Sequence, residues 1–507
     1  MRRDPARLDG ATVDVAVVGG GVLGAAVARA AARRGLAVAL LEKRDFGCAA
    51  SANNLRILHG GVRSLSRGHI SDGRLSRAQL VEWLRVAPHL VDPLPVLAPT
   101  RSRALPRVAS AFSNLVLGPG HAAAPPRARS VGRAELAAIW PGGPSSPSLP
   151  VAALEFEDGL AYSPERLVLA LVKDAVAAGA IVVNHVEAVG ARVRGDRIER
   201  LAFRDAPSGA EGSLAPGLVV NAAGGAVADV AERLGARLSP PALSFSLNLL
   251  VGPLGLERAL GVGEARRVFF VPWREATAIG TAHHPVGARP ALDEAVERFL
   301  AEANEAWPGE PIGSDEVRHV QTGWVLADSA PGEPARVSER SWLATARGTG
   351  PRNLVSAAAH KLTTAPAFAR RVLDAGFRDA GLSGAGPPRA DPVPGAADHG
   401  EPGPDGWASS ARALAATLAD RAPADVVAHT IRMYGRESDR VLAPDAAGRH
   451  ERVVEGAPVV RAHLAYAVEH EMAVTEADLL ERRSELGPRG LVDERARAAA
   501  RAALRGG

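Results

Sequence analysis

VDVAVVGGGVLGAAVARAAARRGLAVALLE, residues 13–42, decides the fold. Val13–Val18 is a short unbroken apolar run, the pattern of a strand buried on both faces. Gly19–Gly24 is a glycine-rich turn, Ala25–Arg34 reads as a helix stopped by Gly35, and Leu36–Leu41 reads as a second strand ended by Glu42. A strand, a helix and a strand joined this tightly make a β-α-β unit with parallel strands. Gly19, Gly21 and Gly24 are spaced so that the first permits a tight turn, the second lets a pyrophosphate approach the backbone, and the third lets the helix close on the strand. The phosphates then face the helix N-terminus. At the end of the second strand a carboxylate such as Glu42 accepts hydrogen bonds from ribose hydroxyls. The glycines alone would say little. With both strands, the helix and the terminal acid they point to a bound dinucleotide, against the plainer alternative of a structural turn beside a solvated Glu42.

Further strands suited to the same sheet are scattered along the chain. Pro164–Ala178 reads as a helix, Ile181–Val186 as a strand, and Val189–Ala202 as a short meander with a Gly-Asp turn. Leu218–Asn221 is another buried strand, followed by the small-residue turn Ala222–Gly225, and residues 354–356 and 361–375 read as a last strand and helix. A nicotinamide enzyme tends to keep its nucleotide unit compact, so this interleaving favours the long cofactor FAD. Between these pieces, Arg267–Val271, Thr277–Gly280 and neighbouring runs within 242–282 suggest an antiparallel sheet, with a helix over Asp293–Ala306. The expected architecture is α/β. A Rossmann-like FAD-binding fold over residues 1–385 is interleaved with an antiparallel substrate cap built from about 66–150 and 240–345. A Pro/Gly-rich linker at 386–406 and a helical domain at 407–507 follow. The Ala-, Pro- and Arg-rich stretch Arg101–Ser148 receives no role.

Composition excludes several classes. With 507 residues the chain is too long for one simple core. Its formal charge of +4 and the lack of a zinc-ligand cluster, dense lysine tract or aromatic RNA-binding signature argue against nucleic acid. The single cysteine, Cys48, rules out an internal disulfide framework or a four-cysteine iron–sulfur site, and no metal site is expected. The apolar run at 13–24 is too short and glycine-broken to span a bilayer, and Arg2 and Arg3 lead into polar sequence, not an apolar signal core. A cytoplasmic protein is the expectation, with attachment to the inner membrane surface left open.

Several motifs, in order, carry a family resemblance. They are the stretch 13–51, LRILHGGVRSL at 55–65, APHLVDPLPVLAP at 87–99, VVNAAGGAVAD at 219–229, VFFVPWREATAIGTAHH at 268–284 and HKLTTAPAFA at 360–369. HTIRMYGRESDRVL at 429–442 and HLAYAVEHEMAVTEADLLERR at 463–483 complete the set. Together they resemble the FAD-dependent glycerol-3-phosphate dehydrogenases over nearly the whole chain. The resemblance implies hydride transfer from a small (phospho)alcohol to flavin N5, then electron transfer to a quinone or other acceptor; it also suggests a homodimer. It places Gly19, Gly21, Gly24, Glu42, Lys43, Ser51, His59, Gly60, Val186, Ala222, Gly224, Lys361, Leu362 and Thr363 at the flavin. Arg63, Arg340, Lys361 and Thr364 fall to the substrate. Arg63 suits a phosphate because its planar donors fork onto the oxygens, and Lys361 would stabilise developing negative charge. His283 and His284 are further catalytic candidates, since imidazole titrates near neutrality. As neighbours on a strand they face opposite ways, so one at most faces the flavin.

The chain departs from that family at pocket positions. Gly323-Trp324-Val325-Leu326 stands where the family has an arginine that contacts substrate, with Arg318 and Arg274 as conceivable replacements. Ala359-His360 replaces Gly-Gly, and Asn53-Asn54-Leu55-Arg56 replaces a hydroxyl-rich stretch ending in Lys. Three readings therefore stand: the family activity, the same flavin chemistry on another polyol, hydroxy acid or amine, and a flavin-binding interaction protein without turnover.

Overall fold

The computed structural model describes residues 1–117, 128–147, 149–263, 267–382, 392–396, 404–444 and 448–506. One sheet runs in the order Trp342–Thr345, Leu354–Ala358, Glu211–Asn221, Thr12–Val18, Val38–Glu42, Ile181–Asn184. Its inner strands are parallel, and the hairpin Val186–Arg194/Arg197–Asp205 extends the long strand Glu211–Asn221. Residues far apart in sequence thus share one sheet, as the scattered strand readings anticipated. Helices Val22–Ala32, Pro164–Ala177 and Ala365–Ala380 pack on one face, and their Ala, Val and Leu side chains form the main core.

The first helix begins at Val22, three residues earlier than the reading from Ala25, and takes Gly24 inside it. A Cβ on Gly24 would stand 1.8 Å from the Gly19 carbonyl oxygen, so only glycine lets the helix lie this close to the turn. Gly19 has φ +107°, and its own Cβ would come within 2.6 Å of the Ala222 carbonyl oxygen at the end of the neighbouring strand.

A second sheet carries Val317–Ala327, Ala242–Val251, Ala276–His283, Val268–Trp273, Ala259–Val262, Val91–Thr100, Ala152–Ala161 and Ile57–Leu58 in that order. All its pairs are antiparallel except Ala259–Val262 with Val91–Thr100. Ile57–Leu58 and Ala152–Ala161 lie outside the two stretches expected to build the cap; they tie the sheet to the nucleotide fold. One face packs under helix Leu292–Ala306 through Leu247, Leu249, Ile279 and Phe299. The stretch Arg101–Ser148 supplies helix Leu105–Leu117, an edge strand Arg129–Gly132 and helix Arg133–Ile139.

The C-terminal part is helical, with cores around Leu464, Leu479 and Leu486 and around Trp407, Val426 and Ile431. Much of the expected linker lies outside the described residues; residues 392–396 pack tightly, with Val393 N donating to the Val86 carbonyl at 2.9 Å. Buried ion pairs join the helical part to the rest. Arg166 Nη1 donates to Glu471 at 2.6 Å, and Arg483 grips both Asp45 oxygens at 2.6 and 2.8 Å.

Gly24→Ala is expected to force the helix off the turn, costing about 1–3 kcal/mol as an overpacked contact. The check is a urea melt together with the flavin content of the purified protein; a variant that keeps both unchanged refutes the close-approach argument.

Candidate functional site

The glycine turn forms one end of the site. Gly19 and Gly21 are partly exposed, and Glu42 reaches back from the second strand so that Oε2 accepts from Gly20 N at 2.6 Å and Oε1 from Arg44 N at 2.8 Å. Burial raises the Glu42 pKa while those two N–H donors lower it. Oε2 keeps a second acceptor position for a hydroxyl, while Oε1 also has the Cys48 thiol at 4.0 Å. Ser51 Oγ accepts from Val22 N at 3.0 Å and stands 3.0 Å from where a Gly21 Cβ would lie. Lys43 is exposed next to Glu42, Ala222 lies under the turn, and Gly224 is exposed at φ +57°. Val186 is fully buried in a core cluster of the sheet, so the structure does not present it to a ligand. A flexible, side-chain-free turn beside a helix N-terminus and an acid is a fit for the ribose and pyrophosphate of a dinucleotide.

The other end of the site is built around Asp158, on the strand Ala152–Ala161. Asp158 Oδ2 lies 3.0 Å from His59 Nδ1, and Oδ1 accepts from Gly60 N at 2.6 Å. Thr363 Oγ1 accepts from His59 N at 2.8 Å, and the Thr363 carbonyl accepts from Trp83 Nε1 at 3.0 Å. A Cβ on Gly60 would meet the Glu157 carbonyl at 2.6 Å, and one on Gly61, at φ +104°, would meet the Gly73 carbonyl at 2.3 Å, so the His-Gly-Gly turn fits only as written. Lys361 Nζ donates to Ser76 Oγ at 2.8 Å, and Gln79 Oε1 accepts from Ala367 N. Lys361 and Thr363 precede the final helix of the nucleotide fold, which starts at Ala365 and not at Lys361: Pro366 favours the first turn, and Thr364 stands at the cap. Leu362 and Thr364 are buried.

The charges are arranged around His59. Burial lowers its pKa, Asp158 raises it, and the nearby Arg63 and Lys361 lower it again, so the net shift is downward. Burial also lowers Lys361, with Asp72 opposing. Arg63 is solvent-reachable, 5.7 Å from the Phe269 ring centre. His360, bonded to Ser341 Oγ at 2.8 Å, is pushed down to about 3 by burial and the Lys361 charge.

The second sheet supplies a facing wall. Asn53 Nδ2 donates to the Ser246 carbonyl at 3.2 Å, Asn248 Nδ2 to Asn53 Oδ1 at 2.8 Å, and Thr281 Oγ1 to Asn248 Oδ1 at 2.8 Å. His283 pairs directly with Ser246, so it shares that face, as do Gly323 and Val325. His284 turns the other way, buried against Phe245 at 6.0 Å between ring centres. Of the two histidines only His283 is on the side of Asn53. Arg340 is exposed in a loop whose Glu339 pairs with Arg67 and His69, and its side chain has no described contact with the His59–Lys361 group. Arg274 is committed to Glu485 at 2.6 Å, and Arg318 to the Glu275 carbonyl at 2.8 Å, so neither stands in for the arginine missing from Gly323–Leu326.

The sequence reading missed Asp158, Ser76, Gln79, Asn248 and Ser246. The alternation of LEFEDGLAY put Phe156, Asp158 and Leu160 on one face, which was the available signal for an acid set among apolar neighbours.

Residues 14–375 match the family model described as FAD dependent oxidoreductase. The chain belongs to that family. Its cofactor is FAD, and it is an oxidoreductase by kinship. Residues 391–504 match the model of the C-terminal domain of alpha-glycerophosphate oxidase. The chain is similar to a glycerol-3-phosphate dehydrogenase of Synechocystis sp., at 26% identity over 89% of this chain and 84% of that one. It is also similar to glycerol-3-phosphate dehydrogenase 1 of Mycobacterium tuberculosis, at 29% identity over 90% and 87%. The fold is that of the Bacillus halodurans glycerol-3-phosphate dehydrogenase solved with FAD, with a TM-score of 0.76 at 20% identity over 99% and 92% of the two chains. The interleaved α/β flavin fold with a helical C-terminal domain is thereby established.

Asp158→Asn removes the carboxylate that raises the His59 pKa. The His59 titration is expected to move to still lower pH, read by NMR of ring-labelled histidine; a midpoint that stays in place or rises contradicts the pairing.

Proposed function

We propose that the protein oxidises the secondary hydroxyl of glycerol 3-phosphate or a closely similar phospho-alcohol, its electrons passing on to a membrane quinone. The observation that carries this reading is the His59–Asp158 pair set beside the two cations Arg63 and Lys361. FAD, when bound, supplies the hydride acceptor. Asp158 holds His59 Nδ1, which leaves Nε2 to take the hydroxyl proton. Arg63 and Lys361 attract an anionic substrate and, by the same charge, keep His59 unprotonated and ready as a base. Ser76 steadies the Lys361 ammonium. The face His283 shares with Ser246 and Asn53 supports a substrate contact for it, whereas the burial of His284 against Phe245 favours a structural role.

The test is anaerobic mixing of the yellow protein with glycerol 3-phosphate while flavin bleaching is followed. Fast bleaching is expected, and Arg63→Ala is expected to raise KM about 10- to 100-fold, the loss of one or more charged hydrogen bonds. Bleaching only by an uncharged polyol, a hydroxy acid or an amine assigns another substrate, in line with the arginine missing from Gly323–Leu326. No bleaching by any of them leaves a flavin protein without turnover.

The helix Leu105–Leu117 supports the membrane part of the reading. Leu105, Val108, Phe112 and Leu115 form one stripe at helical spacing and are 57%, 66%, 44% and 81% exposed. The exposed Arg101, Arg103 and Arg107 flank its start, and residues 93–134 contain no Asp or Glu. An apolar stripe with a basic border matches an anionic bilayer surface. No described helix is long and apolar enough to cross a membrane. Sedimentation with vesicles containing anionic lipid is expected to pull down the protein, and Leu115→Ser with Val108→Ser to release it. Equal binding by both forms places the membrane contact elsewhere, and no binding by either rejects it.

A further inference from the structure

Among the described residues, six that are not glycine hold a positive φ: Ala49, Arg56, His185, Arg274, Met472 and Glu485. A residue with a Cβ adopts this backbone at a cost, and keeps it where the surroundings over-determine it. Five of the six lie on the seam between the helical C-terminal part and the rest. Asn184, next to His185, donates to the Met472 carbonyl at 2.8 Å, and His185 Nε2 meets Asp478 at 2.9 Å. The other three, Arg56, Arg274 and Glu485, converge on one buried ion cluster.

Arg56 and Glu485 are both 0% exposed. Arg56 Nη1 lies 3.9 Å from Glu485 and 3.5 Å from Glu165, and its guanidinium stacks 3.6 Å over the Trp273 ring. Arg274 closes the group on Glu485 at 2.6 Å. Two Arg56 donors, Nε and Nη2, are buried without a hydrogen-bond partner. A buried guanidinium with unmet donors is a poor choice for holding two domains together, because an apolar side chain would do that at less cost.

The backbone of Arg56 shows what else it holds. Its N–H donates to Asn54 Oδ1 at 2.7 Å, and its carbonyl accepts from Ala161 N at 2.7 Å. From there a ladder runs directly into the site: Ile57 opposite Leu160, Leu58 opposite Gly159, then His59 and Gly60 on Asp158. Arg56 is the first rung of the ladder on which His59 is the last.

We propose that Arg56 and Glu485 are positioning residues: the helical domain, through Glu485, fixes the left-handed turn at Arg56 and thereby the seat of His59 against Asp158. This rests on the reading of His59 as the base, and it makes the helical domain a working part of the site. A displacement of the base by a fraction of an ångström is enough to slow a reaction that depends on near-attack geometry.

The test compares full-length, FAD-loaded wild type with Arg56→Met, Arg56→Lys and Glu485→Gln. Folding is monitored by far-UV circular dichroism and the melting midpoint, and the site by the visible circular dichroism of the flavin and by anaerobic reduction. Arg56→Met and Glu485→Gln are expected to keep FAD and to lose about tenfold or more in kcat for flavin reduction. Their KM should change by less than about threefold, since binding groups are untouched. Arg56→Lys, which keeps the cation, is expected to recover most of the rate. Wild-type kcat and an unchanged flavin spectrum in Arg56→Met and Glu485→Gln, with only a lower melting midpoint, would overturn the proposal and leave a domain clasp. If glycerol 3-phosphate does not reduce the wild type, the proposed substrate fails separately. The flavin spectrum and the affinity of the oxidised flavin for sulfite, neither of which needs a substrate, then decide: altered values in Arg56→Met and Glu485→Gln support positioning, and wild-type values reject it.

Discussion

Three backbone segments meet without side chains between them at Gly19. The first helix presses Gly24 against the Gly19 carbonyl, and Gly19 itself lies against the Ala222 carbonyl from the neighbouring strand. Everything else in the molecule is hung on this approach. It sets the angle of the first helix, which decides where Ser51 can receive Val22 N and where Glu42 can receive Gly20 N. It also fixes the spacing between Thr12–Val18 and Glu211–Asn221, the two central strands of the sheet. Parallel sheets covered on both faces leave little freedom once such a distance is set.

The second sheet carries the other end of the site and the wall that faces it. Its strand Ala152–Ala161 belongs to the cap by pairing and to the site by Asp158, and the short strand Ile57–Leu58 brings His59 alongside it. The opposite edge brings Ser246, Asn248 and His283 onto the facing wall. The glycine turn, the His59–Asp158 pair and the wall are thus held by ladders of backbone hydrogen bonds, with Lys361 and Thr363 added from the approach to the helix Ala365–Ala380. Rigid elements place the chemistry, and the partly buried setting strengthens each charge in it.

The parts legible in the sequence are those with a local signature. Gly19, Gly21, Gly24 and Glu42 announce themselves by spacing within one β-α-β unit, and the helices Pro164–Ala177 and Leu292–Ala306 by apolar period. Arg63, His59 and Lys361 were found through motifs. What was hidden depends on register between distant segments. Asp158 is one acid in an alternating strand until pairing puts it opposite the His-Gly-Gly turn. Alternation says that His283 and His284 diverge, but only the pairing of His283 with Ser246 says which one faces Asn53. Arg274 read as a spare cation because sequence carries no hint of Glu485, and the strand expected to run through Val186 breaks at His185, whose φ of +53° turns the chain.

The seam of buried ion pairs has a consequence for the order of events during synthesis. Asp45 follows closely on the nucleotide turn and is wholly buried, yet its partner Arg483 lies 438 residues later. At roughly 5–20 residues per second, the ribosome needs about 20–90 s to bridge that interval. Until then the Asp45 carboxylate can meet Asn184 but neither Arg482 nor Arg483, and Arg56 waits about as long for Glu485. The nucleotide half emerges first but acquires its final form last, when the end of the helical domain leaves the exit tunnel.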